Sequence, residues 1–378
     1  MAEDSATSNG RPSKKQRSAR GQGRPRRVMP WDELTRPQRE RSIPPEDGLV
    51  VVDKNKDVTS HDIVGALRFL AGTRKVGHAG TLDPMATGVL CVGVGKATKL
   101  LQYVTGTDKR YTATIRLGVE TTTEDAQGEV TERRGIAALG GDADGWVEAI
   151  DAAMSQLRGT IQQVPSAVSA LKVNGRRAYE LVREGHSVEL DARTVMIGDF
   201  TRIGQPRAGE EMLDVDVEVV CSAGTYVRAL ARDLGDLLGT GAHLTALRRT
   251  RVGEWDEARA LTIAELNEFN LRGEELPIVA LSDLCRALFP LVGITAEEAE
   301  LLRRGQFIAR RDYQPLGGGE AAALVTGSGA PHAGSTAPFL RTPKNSDGKP
   351  VAAAMCDGQV VALVSPRSGM LKPDLLLG

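Results

Sequence analysis

The sequence predicts an α+β protein, in which a mixed, mainly antiparallel sheet forms the main domain and a small β-rich domain follows at the C-terminus. The chain has 378 residues, which is longer than one typical domain, and its 41% hydrophobic content is enough to fill a sizeable core. Residues Tyr111–Leu117 alternate polar and apolar side chains, as a half-buried antiparallel strand does, and a hairpin pattern surrounds Asp357 and Gly358. We therefore expect two folded units, at 47–285 and 292–378.

The first elements of the main domain follow one another in chain order. Residues 48–54, GLVVVDK, form a valine-rich apolar run that is typical of a buried strand. Residues 60–72, SHDIVGALRFLAG, carry apolar side chains at helical spacing, with Thr59 or Ser60 as the N-cap. After residues 77–88 come a second apolar strand, a short helix and an alternating strand, with the sequences GVLCVGVG, KATKLLQYV and KRYTATIRLG. Two later segments, YVRALARDLGDLLG and ITAEEAELLRRGQFI, are each typical of a helix.

Residues 77–88, GHAGTLDPMATG, are rich in turn formers, and we interpret them as a loop between these elements. Asp83 is their only carboxylate. A loop held between packed elements gives a catalytic side chain a rigid platform. Asp83 is therefore the first candidate for a catalytic residue.

The residues around Asp83 do not fit the common phosphate-binding or hydrolytic motifs. Leu90 stands where a P-loop needs its first glycine, and Ala97 replaces the Ser or Thr that binds Mg²⁺. The loop lacks the second carboxylate of a glycosidase, and the chain has no nucleophile elbow and no histidines at zinc-ligand spacing. From the residues alone, Asp83 is a turn residue before Pro84, a nucleophile, or an electrostatic stabiliser of positive charge on a sugar.

The composition disfavours a membrane protein and an extracellular disulfide-rich protein. No run of eighteen apolar residues occurs, and aromatic residues make up only 4% of the chain, too few for a membrane-interface belt. No two cysteines form a C-x-x-C pair, which disfavours a disulfide framework and a zinc site. The sequence therefore predicts a soluble protein of the cytoplasm without a bound metal.

Residues 1–46 are predicted to form a disordered basic arm. Residues 1–29 contain eight basic and two acidic residues, a net charge of +6, whereas residues 30–378 carry −7. Ser, Gly, Pro and Arg without apolar periodicity cannot bury enough surface to offset the entropy of ordering. Such an arm either binds nucleic acid by releasing counterions from phosphates or only keeps the protein soluble, and the composition leaves both open.

Four motifs in collinear order, between about Gly48 and about Gly253, carry a family resemblance: GHAGTLDPMATGVL, GKATKLL, KRYTATIRLG and CSAGTYVRALARDLG. Together they closely resemble the bacterial tRNA pseudouridine synthases of the TruB family. The resemblance implies a pseudouridine synthase catalytic domain, an insertion at about 160–190 that closes over RNA, and a PUA-like RNA-binding domain at 292–378. A Gly-, Ala- and Ser-rich stretch at about 314–338 departs from the compact family pattern and is predicted to be a flexible insertion.

The resemblance also implies an activity and the residues that perform it. Asp83 matches the aspartate that attacks the target uridine, Tyr111 the tyrosine that stacks on the flipped uracil and transfers a proton, and Arg228 the arginine that pairs with the aspartate and keeps it ionised. The implied reaction is isomerisation of uridine to pseudouridine in the T-loop of tRNA, at tRNA position 55, after base flipping. It implies no metal, no organic cofactor and no obligate protein partner. The implied substrate-binding residues are His78, Lys99, Lys172, Arg176, Arg177 and Tyr226.

Two other interpretations remain open. One is a non-catalytic tRNA-binding protein or tRNA-folding chaperone, in which Asp83 only forms a turn. The other is the guide-RNA-dependent synthase of archaea and eukaryotes, which shares the GTLDP loop. The combination of Asp83, Tyr111 and Arg228 favours an enzyme, because binding alone requires no such set. The MATG and GKATKLLQYV segments favour the stand-alone bacterial form.

Deleting residues 1–29 should weaken tRNA binding and flatten its salt dependence, because the arm would no longer release counterions. For each phosphate that the arm ceases to neutralise, the slope of log K against log salt concentration should become shallower by roughly 0.7–0.9. The measurement is the tRNA dissociation constant at several salt concentrations for both chains. An unchanged slope would show that the arm does not bind phosphate.

Overall fold

The computed structural model of the protein describes residue 34 and residues 46–166, 172–173, 176–177, 190–309 and 343–378. The predicted flexible insertion lies outside these ranges, and so does the predicted arm except for Leu34 and Glu46. None of the helices within the described ranges combines the length and the hydropathy that crossing a membrane requires.

The α-helices within these ranges are α1 Ser60–Leu70, α2 Leu101–Thr105, α3 Ala143–Gln156, α4 Val227–Leu238, α5 Ile263–Leu271, α6 Leu281–Leu288 and α7 Ala296–Arg303. Short 3₁₀ helices span Gly95–Lys99, Ala137–Leu139 and Glu257–Arg259. The strands of the first half are β1 Gly48–Lys54, β2 Val76–Ala79, β3 Thr87–Val94, β4 Lys109–Leu117, β5 Val119–Thr121, β6 Val130–Arg133, β7 Gly159–Gln163, β8 Lys172–Val173 and β9 Arg176–Arg177. The later strands are β10 Arg193–Ala208, β11 Leu213–Cys221, β12 Ala242–Val252, β13 Trp255–Asp256, β14 Val279–Ala280, β15 Leu291–Gly293, β16 Ile308–Ala309, β17 Ala352–Cys356, β18 Gln359–Arg367 and β19 Met370–Leu376.

The main sheet is mixed and mainly antiparallel, as predicted. Within the described ranges it has ten strands, in the order β14-β1-β3-β12-β4-β11-β10-β7, with β13 paired to β12 and β2 paired to β3. Its parallel contact joins β12 to β3. A second sheet of five strands has the order β15-β17-β18-β19-β16 and forms the predicted β-rich unit, including the hairpin at Asp357 and Gly358. The α+β fold class is confirmed.

Strands β1 and β3 are buried on both faces, which explains why their sequences are apolar without alternation. Val50 and Leu90 face a hydrophobic cluster that includes Leu67 of α1. Leu49 and Cys91 face a second cluster on the other side of the sheet. Strand β4 instead alternates between buried and half-buried positions, as its sequence predicts.

The five-stranded sheet shares the second hydrophobic cluster with the main sheet. Leu363 of β18 and Leu377, which follows β19, lie in the same cluster as Cys91. Lys96 Nζ donates a hydrogen bond to the carbonyl oxygen of Leu377 at 2.8 Å. The two sheets are therefore joined by a common core, while the domain bounds 47–285 and 292–378 and the likeness of the small unit to a PUA domain stay predictions.

The loop that carries Asp83 is shorter than predicted. Its N-terminal part belongs to β2 and its last two residues to β3, so the Asp83 loop spans residues 80–86. Gly77 pairs with Gly93 across these strands, and a Cβ at Gly77 would lie 3.1 Å from Leu101 Cδ1. Glycine is therefore present there because Leu101 packs closely on the strands, and not because the chain turns.

Gly88→Ala should lower the free energy of unfolding by about 2–5 kcal/mol, from backbone strain and steric overlap together. Gly88 has a φ of +97°, and a Cβ there would lie 2.2 Å from the carbonyl oxygen of Arg249. Gly65→Ala is the control, because nothing lies within 4 Å of a Cβ at this helical position. That change should raise stability by about 0.5–1 kcal/mol. Urea unfolding of both variants measures the difference, and equal effects would contradict the prediction.

Candidate active site

A cleft of about 290 Å³ lies between the Asp83 loop, the start of α4 and the strands β4 and β12. The sequence-predicted residues that line it are Asp83, Tyr111, Tyr226 and Arg228. Asp83 comes from the loop, Tyr111 from β4, Tyr226 from the N-cap of α4 and Arg228 from its first turn. The fold therefore brings together, from three distant segments, the aspartate, the tyrosine and the arginine that the sequence predicts as catalytic residues.

The geometry of the cleft centres on an ion pair. Arg228 Nε lies 2.9 Å from Asp83 Oδ2, and the side chains are 6% and 35% exposed. A charge-assisted hydrogen bond to a buried guanidinium is strong and directional. The pair therefore fixes one carboxylate oxygen of Asp83, while the side chain still has access to the cleft.

Arg228 is itself held in place through a different nitrogen of its guanidinium. Nη1 donates a hydrogen bond to the carbonyl oxygen of Thr123 at 2.9 Å and lies 3.6 Å from Asp125 Oδ2. Asp125 is buried, and its Oδ1 accepts hydrogen bonds from Thr123 Oγ1 at 2.6 Å and from the Gln127 amide at 3.0 Å. Two carboxylates, one buried and one facing the cleft, thus share one arginine.

The Asp83 loop is anchored from below by two polar side chains. Ser60 Oγ, at the start of α1, donates to the carbonyl oxygen of Leu82 at 3.0 Å and accepts from the Leu82 amide at 2.9 Å. Lys54 Nζ donates to the carbonyl oxygens of Val58 at 2.8 Å and Pro84 at 3.3 Å. These bonds hold the backbone on both sides of Asp83, so the carboxylate projects from a fixed support.

Burial changes the proton affinity of several groups at the site. It lowers the pKa of Lys54 to about 8, against the opposing effect of the Asp83 charge. It also lowers the pKa of Lys109, which lines the cleft, to about 8. Burial raises the pKa of Tyr111, and the positive charge of Arg249 opposes this increase. Tyr111 is therefore a neutral phenol at neutral pH, able to donate a proton.

The other predicted substrate-binding residues lie elsewhere or outside the described side chains. His78 is in the middle of β2, where burial lowers its pKa and its Nδ1 has no hydrogen-bond partner among the described residues. Lys99 is exposed at the end of a 3₁₀ helix. Neither residue lines the cleft. Lys172, Arg176 and Arg177 lie in the β8–β9 hairpin, whose side chains are outside the described part of the structure.

Several residues of the site are not among those predicted from the sequence. Lys109 and Arg249 line the cleft, and Asp125 and Lys54 support it. The alternation of β4 could have identified Lys109, because it places Lys109 and Tyr111 on the same face. No local pattern marks Asp125, whose proximity to Arg228 arises only from the tertiary fold.

Gln163 connects α4 to the end of β7, at the start of the predicted insertion at about 160–190. This side chain is 1% exposed. Its Oε1 accepts from the Tyr226 amide at 2.9 Å, and its Nε2 donates to the Tyr226 carbonyl oxygen at 3.2 Å. Arg232 Nη2 of α4 also donates to the carbonyl oxygen of Val164 at 2.9 Å. These bonds fix the end of β7 against the helix that carries Arg228.

Comparison with known families gives matches over most of the chain between the arm and the small sheet. The family model described as TruB family pseudouridylate synthase (N terminal domain) matches residues 68–227. The model described as tRNA pseudouridylate synthase B C-terminal domain matches residues 228–291. The first range ends and the second begins inside α4, so both include part of the candidate site.

Two curated proteins that are similar to this chain carry the same name. A protein called tRNA pseudouridine synthase B from Arthrobacter sp. (strain FB24) is 49% identical over 330 residues, which cover 87% of this chain and 96% of that protein. One of the same name from Mycobacterium tuberculosis (strain ATCC 25618 / H37Rv) is 51% identical, over 68% of this chain and 83% of that protein.

Solved structures share the fold at lower identity. The structure titled "Crystal Structure of a Cbf5-Nop10-Gar1 Complex" matches with a TM-score of 0.59 and 22% identity, over 92% of this chain and 89% of that chain. A structure of an H/ACA RNP bound to a substrate RNA containing 2'-deoxyuridine matches with a TM-score of 0.55 and 21% identity, over 88% of this chain and 85% of that chain. At this identity the likeness shows the fold alone.

Ser60→Ala should release the Asp83 loop, because the Leu82 amide and carbonyl would lose their buried partner. The expected loss of stability is about 1–3 kcal/mol, and the Leu82 amide should exchange its hydrogen faster. Ser282→Ala is the matched control, since Ser282 Oγ also accepts from a buried amide, that of Val360 at 3.0 Å. Hydrogen exchange should show faster exchange in the Asp83 loop for the first variant only. Equal loop protection in both would contradict the anchoring role.

Proposed function

Because the chain belongs to the TruB family of pseudouridylate synthases, we propose that it isomerises uridine to pseudouridine in tRNA, with Asp83 as the nucleophile. The observation that carries this assignment is the 2.9 Å ion pair between Asp83 and Arg228 in a cleft that Tyr111 also lines. An aspartate that only forms a turn does not require a buried arginine beside it. Burying a guanidinium is unfavourable unless a carboxylate pairs with it, so the buried Arg228 indicates a role for the pair.

The proposed reaction needs one carboxylate and no water. Asp83 attacks the nucleoside and bonds to it, and the bond between the ribose and the uracil nitrogen breaks. The uracil then turns and bonds to the ribose through carbon, while the bond to Asp83 breaks and the carboxylate is restored. One proton leaves that carbon and one is gained by the freed nitrogen, so the product has the composition of the substrate. Tyr111 is the neutral group in the cleft that we assign to proton transfer and to stacking on the base.

Within tRNA, we propose that the target is the T-loop uridine at tRNA position 55, bound through the T-arm. The base must leave its stack to enter a cleft of about 290 Å³, which costs a few kcal/mol. We assign Tyr226 to substrate contact inside the cleft, and His78 and Lys99 to contacts around it. The β8–β9 hairpin, with Lys172, Arg176 and Arg177, is assigned to phosphate contacts on closure over RNA.

We also propose that the protein acts as a single chain, without a metal, an organic cofactor or an obligate protein partner. The proposal also includes a cytoplasmic location, where tRNA is modified in bacteria. All four cysteines are free in the structure, which suits a reducing compartment. An assay with the purified chain, an unmodified tRNA transcript and a metal chelator tests the first part directly.

Asp83→Asn should abolish pseudouridine formation while tRNA affinity stays within about twofold, because the amide keeps the shape of the side chain and loses its nucleophilicity. Asp214→Asn is the control: Asp214 also accepts two hydrogen bonds from an arginine, Arg116, at 2.7 and 2.8 Å, but lies outside the cleft. The measurement is pseudouridine content and tRNA binding for the wild type and both variants.

Three outcomes separate the hypotheses. Conversion by the wild type and by Asp214→Asn, with binding but no conversion by Asp83→Asn, supports the nucleophile assignment. Normal conversion by Asp83→Asn removes that assignment and leaves the activity. Binding without conversion by the wild type itself would support the alternative of a non-catalytic tRNA-binding protein or tRNA-folding chaperone.

A further inference from the structure

Arg249 lines the cleft but has no role in the mechanism described so far. We propose that Arg249 is a positioning residue, which holds the Asp83 loop and Tyr111 in a fixed relation to each other. The proposal deepens the proposed function and rests on it. Four features of the described residues carry it: the burial of Arg249, its hydrogen bonds, its place in the sheet and its charge.

The burial of Arg249 is unusual for a charged residue. The side chain is 1% exposed, and within the described ranges it forms no ion pair with a carboxylate. Its neighbours on β12 differ in this respect, because Arg248 pairs with Asp53 and Arg251 pairs with Asp108. A buried guanidinium without a counterion is energetically unfavourable. The presence of such a guanidinium beside the Asp83 loop indicates a functional role.

The hydrogen bonds of Arg249 reach the two ends of the Asp83 loop. Nη2 donates to the carbonyl oxygen of Gly80, the first residue of the loop, at 3.1 Å. Nε donates to the carbonyl oxygen of Val89, just beyond its end, at 2.7 Å. One planar side chain thus ties together the strands from which the loop emerges. Ser60 and Lys54 hold the middle of the loop, so Arg249 completes its support.

The position of Arg249 in the sheet also brings it to Tyr111. Arg249 lies opposite Gly88 across the parallel β12–β3 contact and opposite Tyr111 across the antiparallel β12–β4 contact. Directly opposed residues have Cβ atoms about 4.5–5.5 Å apart. Both side chains line the cleft. Arg249 therefore contacts both β3, which follows the Asp83 loop, and β4, which carries Tyr111.

The charge of Arg249 acts on the groups above it. It opposes the effect of burial on the pKa of Tyr111, and it adds to the effect of burial on the pKa of His78. A cation below the phenol stabilises negative charge on the oxygen while a proton is transferred. Arg249 therefore gives Tyr111 both its position and part of its electrostatic environment.

The geometry requires arginine and not lysine. A guanidinium presents several donors in a rigid plane and can reach two carbonyl groups while facing a third group. Lysine has the same charge but a single nitrogen at the end of a flexible chain. Arg249→Lys thus retains the charge and loses the fixed arrangement, whereas Arg249→Met loses both. Comparing the two separates position from charge.

The experiment measures single-turnover pseudouridine formation, tRNA affinity and stability for Arg249→Met, Arg249→Lys and a matched control. Arg249→Met should slow the chemical step by about 100-fold, the size expected for a displacement of about 1 Å at a reacting centre. Its tRNA dissociation constant should stay within about twofold. Arg249→Lys should recover part of the rate. The control is Arg202→Met, which removes a largely buried arginine bound to Asp151, outside the cleft; it should lose stability but keep the rate.

A double-mutant cycle tests whether Arg249 acts through Tyr111. In a Tyr111→Phe background, Arg249→Met should slow the reaction less than it does in the wild type, because the hydroxyl that Arg249 positions is gone while its bonds at the Asp83 loop are still lost. Fully additive losses, an unchanged rate in Arg249→Met, or a loss of affinity as large as the loss of rate would each overturn the proposal.

A failure of the proposed function looks different. If the wild type forms no pseudouridine, hydrogen exchange still tests the positioning role. Arg249→Met should then raise exchange in the Asp83 loop, residues 80–86, and Arg202→Met should not. Equal exchange in the two variants would overturn the role of Arg249 whatever the activity. An active wild type with a fully active Arg249→Met would overturn the inference and leave the proposed function intact.

Discussion

The ion pair between Asp83 and Arg228 is the interaction on which the rest of the site depends. It joins a loop between two strands to the first turn of α4, which is distant in the sequence. A buried arginine and a partly exposed aspartate keep their relative position only if both backbones are fixed. The bonds of Ser60 fix the loop and those of Gln163 fix the start of α4, so the supporting residues act on the two ends of one contact.

The sheet explains why such a contact is possible. Strand β12 lies between β3 and β4, and it is parallel to the first and antiparallel to the second. Only this central position lets one strand contact both the Asp83 loop and the strand of Tyr111. Burial of β1 and β3 on both faces gives the platform its rigidity, because each strand is packed from above and below.

Local sequence patterns predicted the elements, whereas contacts between distant segments escaped them. The run GLVVVDK, the capped helix at Ser60–Leu70 and the alternating strand at Lys109–Leu117 are each determined by neighbours in the chain, so their patterns are legible. Asp83, Tyr111 and Arg228 were found because they lie in recognisable motifs. Asp125 and Arg249 were not, since an acid after a turn and an arginine in a basic strand look ordinary until the fold brings them to the site. The loop bounds were wrong because two strand glycines resemble glycines that make a turn: Gly77 makes room for Leu101, and Gly88 lies against the Arg249 backbone.

The common core of the two sheets restricts the shape of a large ligand that can contact both of them. Leu363 of the small sheet and Cys91 of the main sheet are buried in one cluster, and Lys96 donates a hydrogen bond to Leu377, which follows the last strand. Sliding one sheet over the other would expose that cluster to water, at a cost proportional to the apolar area uncovered. The spacing between the cleft and the surface of the small sheet is therefore constant. A ligand that contacts both must have its two contact points at that distance from each other. Such a ligand is selected by its overall shape, without recognition of its sequence.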